Sequence, residues 1–374
     1  MIDSGTLALL LKGVNAITWQ SVVMILVSFV LFYLAIVKDY EPLLLLPIGA
    51  GCLLANLPLS PLMDEHGMLR VLYQIGVENE LYPLLIFVGI GALTDFGPLL
   101  ENPKFVLLGA AGQFGIFLTL ILALLLGFTQ NEAASIGIIG AIDGPTSIYV
   151  SGILAPHMLG PITVAAYSYM SLVPIIMPPV IFALTSKEER AIRMPYASRK
   201  LSRRTRIMFP IIVTVMVGSL VPFATPLIGM LMLGNLMKES GAVERLTGAS
   251  SNEIANMVTL FLGLAIGSNM VGTDSLKTQT LFILVLGLLA FGVDCAAGVL
   301  FAKVLNVITG GKVNPIIGAA GISAFPMAAR VCQRVAQQEN FDNFLLMHAM
   351  GANAAGQVAS VVAGGVLLAL MGAG

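Results

Sequence analysis

Charge is scarce in this sequence. Asp, Glu, Lys and Arg make up 10% of its 374 residues, where an ordinary soluble domain carries about 25%. Hydrophobic residues reach 57% and mean hydropathy is +0.93, so a soluble globular fold is excluded. A formal net charge of -1 leaves no basic surface for nucleic acid. Cysteine is nearly absent. Cys52, Cys295 and Cys332 lie in or beside apolar stretches and form neither a disulfide framework nor a metal-ligand spacing, so redox chemistry is not expected. His66, His157 and His348 share no ligand spacing. No G-x-x-x-x-G-K-[S/T] motif occurs, and Gly310-Gly311-Lys312-Val313 reads as a loop, which excludes a phosphate-cradling ATPase.

What is abundant is apolar sequence in blocks of roughly 17 to 28 residues, the length that crosses a hydrocarbon core of about 30 Å as a helix. The blocks lack the short alternation of a barrel. An all-α, polytopic helical membrane protein follows. Apolar segments run over roughly 17-37, 42-60, 82-100, 104-127, 133-155, 161-185, 207-222, 223-237, 255-273, 279-308 and 344-371, with a shorter Gly-rich addition at 313-331. Met1 to Gly13 carries Asp3 and no basic region, so the first run is expected to be a retained span rather than a cleaved signal.

Between Lys187 and Arg206 lie eight of the 19 basic residues: Lys187, Arg190, Arg193, Arg199, Lys200, Arg203, Arg204 and Arg206. The positive-inside rule places this loop in the cytoplasm. It anchors topology, and it also suits a cytoplasmic partner or anionic headgroups. Counting spans outward from it gives conflicting parity, so 133-155 or 313-331 is expected not to cross as a continuous helix.

Two motifs recur about 180 residues apart. Ile138-Ile139-Gly140-Ala141-Ile142-Asp143-Gly144-Pro145 is echoed from Ile316 to Pro326, and Gly91 to Asp95 by Met270 to Asp274. The constant offset predicts two related halves, which are expected to form inverted repeats. The expected organisation is a scaffold at 1-81, a first repeat with the Asp143 motif at 82-186, the basic loop and linker spans at 187-254, and a second repeat with the Asn314 to Arg330 motif at 255-374. Gly and Pro interruptions at corresponding positions of two halves point to discontinuous helices that form an ion or substrate site near the bilayer midplane.

Asp143 is the costliest residue, because an acid at the centre of a span is unfavourable by about 2.5 to 3.5 kcal/mol. No lysine or arginine lies within a turn or two. The acid must therefore be protonated, hydrogen-bonded to backbone freed at Gly144-Pro145, or facing a cation. Burial favours the protonated form and a bound cation the carboxylate, which suits a site exchanging H+ and a metal ion. Hard cations take oxygen ligands, and Asp143, Thr146, Ser147, Asn314, Ser323 and freed carbonyls supply them. Ser323 alone is explained equally by helix packing. Arg330 either snorkels to the interface or binds an anionic substrate group. Tyr169 and Asn353 are further polar groups in apolar surroundings. Asp95, Asp274 and Asp294 are also candidate intramembrane acids, ranked below Asp143.

At Gly140-Ala141-Ile142-Asp143-Gly144-Pro145-Thr146-Ser147-Ile148-Tyr149 and Asn314-x3-Gly318-x4-Ser323-x6-Arg330 the chain closely resembles the β subunits of the Na+-translocating, biotin-dependent decarboxylases, the oxaloacetate, methylmalonyl-CoA and glutaconyl-CoA decarboxylase sodium pumps. The resemblance extends to Thr94 through Leu100 and to the turn at 38-42. It implies a multi-pass subunit of the bacterial inner (cytoplasmic) membrane that decarboxylates carboxybiotin, exports Na+ and consumes a proton. It implies as partners a carboxyltransferase α subunit, a biotin carrier subunit, a small membrane-anchoring subunit and two further copies of β in a homotrimer. It makes Asp143 the central Na+/H+ acid, with Asn314, Ser323 and Asn353 helping to bind Na+ and Tyr169 in the coupling or proton path. Arg330 would face carboxybiotin, and Gly318 would allow close backbone approach. Biotin must arrive on a partner, because no Ala-Met-Lys-Met motif occurs and Met237-Lys238 sits between Leu236 and Glu239. Compactness of the chain leans toward a CoA ester over oxaloacetate. Composition and periodicity alone favour a different class, a stand-alone Na+/H+ antiporter or Na+-coupled anion transporter.

Overall fold

The computed structural model describes residues 12-195, 201-272 and 278-372. Asp3, Arg199, Lys200 and Asp274, all named above, lie outside the described residues. Among those described, every element is helical, as a chain in lipid requires when no water is present to satisfy backbone groups.

The longer helices are α1 (Trp19–Ile36), α2 (Pro42–Asn56), α3 (Leu81–Leu93), α4 (Phe114–Leu125), α5 (Gln130–Gly137), α6 (Gly144–Leu154), α7 (Leu159–Leu184), α8 (Arg203–Leu220), α9 (Thr225–Ser240), α10 (Ala255–Ser268), α11 (Thr278–Ile308), α12 (Met327–Glu339) and α13 (Leu346–Leu370). Five spans among the described residues are long and apolar enough to cross a bilayer: Trp19–Ile36, Pro103–Leu125, Pro156–Leu184, Gln279–Ile308 and Leu346–Leu370. The run expected at 82-100 ends early, at Leu93, where Thr94 turns extended and the Asp95 carboxylate accepts the Gly97 N–H at 2.8 Å. Both 133-155 and 313-331 are broken, where the parity of spans required only one to be.

Two apolar cores hold the helices together. The smaller joins α1, α2, α3 and α10 through residues such as Met24, Leu45, Ile48 and Leu262. The larger surrounds both broken segments and draws on α4 to α9 and α11 to α13. Lipid supplies no hydrophobic drive between helices, so close packing of small residues does that work. A Cβ on Gly267 would stand 2.1 Å from the Ile48 carbonyl oxygen, and one on Gly91 would stand 1.9 Å from that of Leu231.

The basic loop fixes which ends share a side. Lys303, near the end of α11, donates to the Leu184 carbonyl and pairs with Glu189 at 3.2 Å. Buried Arg190 pairs with Glu339, the last residue of α12, at 2.6 Å. His348, in the first turn of α13, meets the Met194 carbonyl at 3.1 Å. These ends therefore lie with the basic loop, on one side of the molecule.

Candidate functional site

The first break is built from local signals. A capping box of Thr129 and Glu132 starts α5, which tightens into a 3-10 turn over Ile138–Ala141. Ile142 then takes the left-handed conformation, with φ 53°, which costs a β-branched residue on the order of 1–3 kcal/mol and is tolerated where the surroundings enforce it. The chain extends at Asp143, whose carboxylate caps α6 by accepting the Thr146 N–H at 3.2 Å. Pro145 sits in the first turn of α6, where a missing N–H costs nothing. Gly144 leaves room for the Tyr167 ring, since a Cβ there would lie 2.1 Å from its Cζ.

The second break repeats this order. Asn314 caps a 3-10 turn over Pro315–Gly321, the chain runs extended through Ile322, and α12 begins after a cis Phe325-Pro326 bond. The two breaks touch directly, because the Ser323 N–H donates to the Ala141 carbonyl at 3.0 Å. Close backbone approach is what permits this. A Cβ on Gly318 would lie 2.0 Å from the Gly298 carbonyl oxygen, and one on Gly356 would lie 2.5 Å from that of Gly321.

The acid of the first break meets a polar stripe on α13. Oδ2 of Asp143 accepts the Ser360 hydroxyl at 2.6 Å and the Ser323 hydroxyl at 3.1 Å, and the two hydroxyls are 2.9 Å apart. Asn353 donates to the Ile322 carbonyl at 2.6 Å. Gln357 donates to the Ser323 carbonyl. Asn353, Gln357 and Ser360 fall on one face of α13, so a single helix grips both sides of the contact. Among the described residues, three buried oxygens in this cluster lack a hydrogen-bond partner: Thr146 Oγ1, Asn353 Oδ1 and Gln357 Oε1. Each such acceptor costs about 1–3 kcal/mol when unsatisfied. A carboxylate beside hydroxyl and amide oxygens is the donor set of a hard cation. The positive end of α6 further favours negative charge at Asp143.

A family model described as the Na+-transporting oxaloacetate decarboxylase beta subunit matches residues 20–371. The chain belongs to this family. It is 52% identical over 361 residues to the glutaconyl-CoA decarboxylase subunit beta of Acidaminococcus fermentans, with 96% of each chain covered. It is 52% identical over 360 residues to the methylmalonyl-CoA decarboxylase subunit beta of Veillonella parvula, covering 96% of this chain and 95% of that one. Against the oxaloacetate decarboxylase beta chain 2 of Salmonella typhi it is 47% identical over 407 residues, covering 92% and 94%. This is thus a β subunit of a Na+-transporting decarboxylase and a multi-pass membrane protein.

Of the residues singled out in the sequence, Asp143, Ser323 and Asn353 come together in the β subunit's central cluster. Asn314 stands apart from it. Its amide donates to the Arg190 and Ile192 carbonyls, at 2.9 Å each, and its Oδ1 accepts the Ile316 N–H at 3.0 Å. It thereby ties the second break to the basic loop. Tyr169 is buried and its hydroxyl donates to the Leu284 carbonyl of α11, while the tyrosine packed on the Asp143 break is Tyr167. Arg330 occupies the first turn of α12 and is exposed, and its guanidinium has no ion pair or hydrogen bond among the described residues. Asp294 is fully buried, with one oxygen accepting the Gly115 N–H and the other without a hydrogen-bond partner among the described residues.

Ser360 and Gln357 escaped the sequence reading. Their signal is the spacing Asn353, Gln357, Ser360, which puts three polar side chains on one stripe of a helix that beyond His348 is otherwise made of small and apolar residues.

Proposed function

We propose that this β subunit decarboxylates carboxybiotin presented by a biotin carrier subunit and couples that step to Na+ export across the bacterial inner membrane, with uptake of one proton. The observation that carries the reading is the buried Asp143 at a helix break, surrounded by hydroxyl and amide oxygens of the second break and α13. Na+ is the cargo. Asp143 holds either Na+ or a proton, Ser323 and Ser360 supply hydroxyl oxygens, and Asn353 and Gln357 turn carbonyl oxygens toward the ion.

Carboxybiotin supplies, when bound, the bond whose cleavage drives transport. The free guanidinium of Arg330 fits its carboxylate, because the planar fork of donors matches that group in a bidentate way. Arg330 stands between the break and the basic-loop end of α12, so a group docked from the cytoplasm reaches it before Asp143. Asn314 links the same break to the basic loop and is the route by which docking is felt at the site, and Tyr169 bridges α7 of the first repeat to α11 of the second. Transport follows if the inward state prefers Na+ on Asp143 and the outward state prefers the proton, since only differential affinity shifts a conformational equilibrium.

The two similar breaks are the cores of inverted halves that rock against a scaffold of the remaining spans. The working complex contains a carboxyltransferase α subunit, the biotin carrier, a small membrane-anchoring subunit and a β homotrimer. A CoA ester is favoured as the acyl substrate: the CoA-ester relatives align over 360 to 385 residues, against 407 to 418 for the oxaloacetate ones, so fewer insertions separate them from this chain.

The test is purification from the native membrane followed by assay of avidin-sensitive, Na+-stimulated CO2 release from each acyl substrate. Asp143→Asn should abolish the Na+ stimulation. Retention of it, or Na+ movement in vesicles by the chain alone without biotin, would sink the proposal.

A further inference from the structure

At the basic-loop end of the molecule, away from the Asp143 cluster, a cavity of about 440 Å³ opens between the start of the Pro103–Leu125 span and the end of α11. Its walls include Asn102, Lys104, Phe105, Met194, Leu305 and Lys312. Lys104 and Lys312 are exposed, and neither ammonium has an ion pair or hydrogen bond among the described residues. Glu101, beside Asn102, interacts electrostatically with His348. Two cations unpaired among the described residues thus share one pocket with five apolar side chains.

The surface around the pocket is equally unbalanced. On α11 Val304, Val307 and Ile308 are 52%, 80% and 74% exposed, and on the facing span Val106 and Leu107 are 53% and 49% exposed. An ordinary anion site would be lined by polar donors, whereas here apolar flanks run from the two lysines along both helices. That combination matches an amphiphile whose anionic head lies at the interface and whose chains lie along the helices. Basic pockets between transmembrane helices on the cytoplasmic side are where anionic headgroups bind, and long lysine stems reach such groups from helix ends.

We infer that this pocket binds the phosphodiester headgroup of an anionic phospholipid, held by Lys104 and Lys312, with its acyl chains against the exposed faces of α11 and the Pro103–Leu125 span. The site touches the coupling machinery through Met194. Its sulfur accepts the Asn314 N–H at 3.2 Å, and its carbonyl meets His348. A bound lipid therefore braces the cap of the second break. The inference does not depend on the carboxybiotin reading, because its readout is lipid retention.

The assembled complex is reconstituted in phosphatidylcholine vesicles containing a minor fraction of phosphatidylglycerol, extracted, and examined by native mass spectrometry. The wild type should retain phosphatidylglycerol selectively. Lys104→Gln with Lys312→Gln should weaken retention about fivefold for each lysine and roughly 30-fold for the pair, while the Arg pair at the same positions should preserve it. Equal retention by the Gln pair overturns the site, as does absence of phosphatidylglycerol from the wild type. Displacement of the lipid by millimolar inorganic phosphate would overturn the lipid assignment in favour of a soluble phosphate.

Discussion

The hydroxyl of Ser360 lies 2.6 Å from Oδ2 of Asp143, nearer than the Ser323 hydroxyl at 3.1 Å, although 217 residues separate Ser360 from the acid and 180 separate Ser323 from it. The helix carrying Ser360 also holds the carbonyls of Ile322 and Ser323. α13 is therefore the element that joins the two breaks, and its polar stripe sets the coordination around the acid.

Ser360→Ala removes the shorter hydrogen bond to Asp143. Such bonds to a charged partner contribute about 1.5–3 kcal/mol, so the Na+ concentration for half-maximal decarboxylation should rise roughly tenfold to hundredfold. The rate at saturating Na+ should change much less. A Na+ dependence equal to wild type would remove Ser360 from the ion site.

On the proposed mechanism Na+ and a proton compete for Asp143, and binding a cation to a carboxyl displaces its proton. Lowering the pH increases the protonated fraction, so apparent Na+ affinity must fall with acidification, approaching tenfold per pH unit where one proton exchanges for one Na+. Asp143→Asn should show no such dependence in direct Na+ binding by calorimetry. A pH-independent affinity in the wild type would contradict competition at this residue.

Gly318→Ala places a methyl about where the Gly298 carbonyl oxygen already stands, 2.0 Å from the new carbon. Both partners are backbone, so neither can step aside cheaply. Overpacking of this kind costs about 1–3 kcal/mol or more, and thermal unfolding in detergent should shift down by several degrees. An unchanged melting curve would show that the second break repacks freely.

Asp294 accepts the Gly115 N–H with one oxygen, and Gly140 leaves space for the other, since a Cβ there would lie 2.6 Å from Oδ2. Asp294→Asn keeps an acceptor for Gly115 and should preserve both stability and Na+ dependence. Asp294→Leu leaves that N–H unsatisfied, at a cost of about 1–3 kcal/mol, and should lower the melting temperature. Loss of Na+ stimulation in a thermally normal Asn variant would instead give Asp294 a charged role in transport.

Much of the site was legible from local chemistry. Gly144-Pro145 beside an acid marks a break because proline lacks an N–H and an intramembrane carboxyl needs a donor, and the capping of α6 by Asp143 is that expectation realised. The echo at Ile316 to Pro326 marked the second break for similar reasons. Asn314 was grouped with the acid because both lie in polar interruptions, yet its amide serves the basic loop. Tyr167 and Tyr169 are two residues apart on α7 and so face different neighbours, a distinction that depends on which helices pack against each side.

By itself, the sequence determined the class of molecule, because runs of apolar residues with little charge have no stable home but a bilayer. It determined also where the helices must break, because Gly, Pro and a buried acid act over a few residues of chain. Tertiary structure alone decided which oxygens surround Asp143. Those contacts reach across 180 and 217 residues and depend on the rotation of α13 about its own axis. Hydropathy leaves that rotation open, because lipid rewards no particular apolar face. Close packing of glycines against backbone and the few polar groups that must find partners supply the missing constraint.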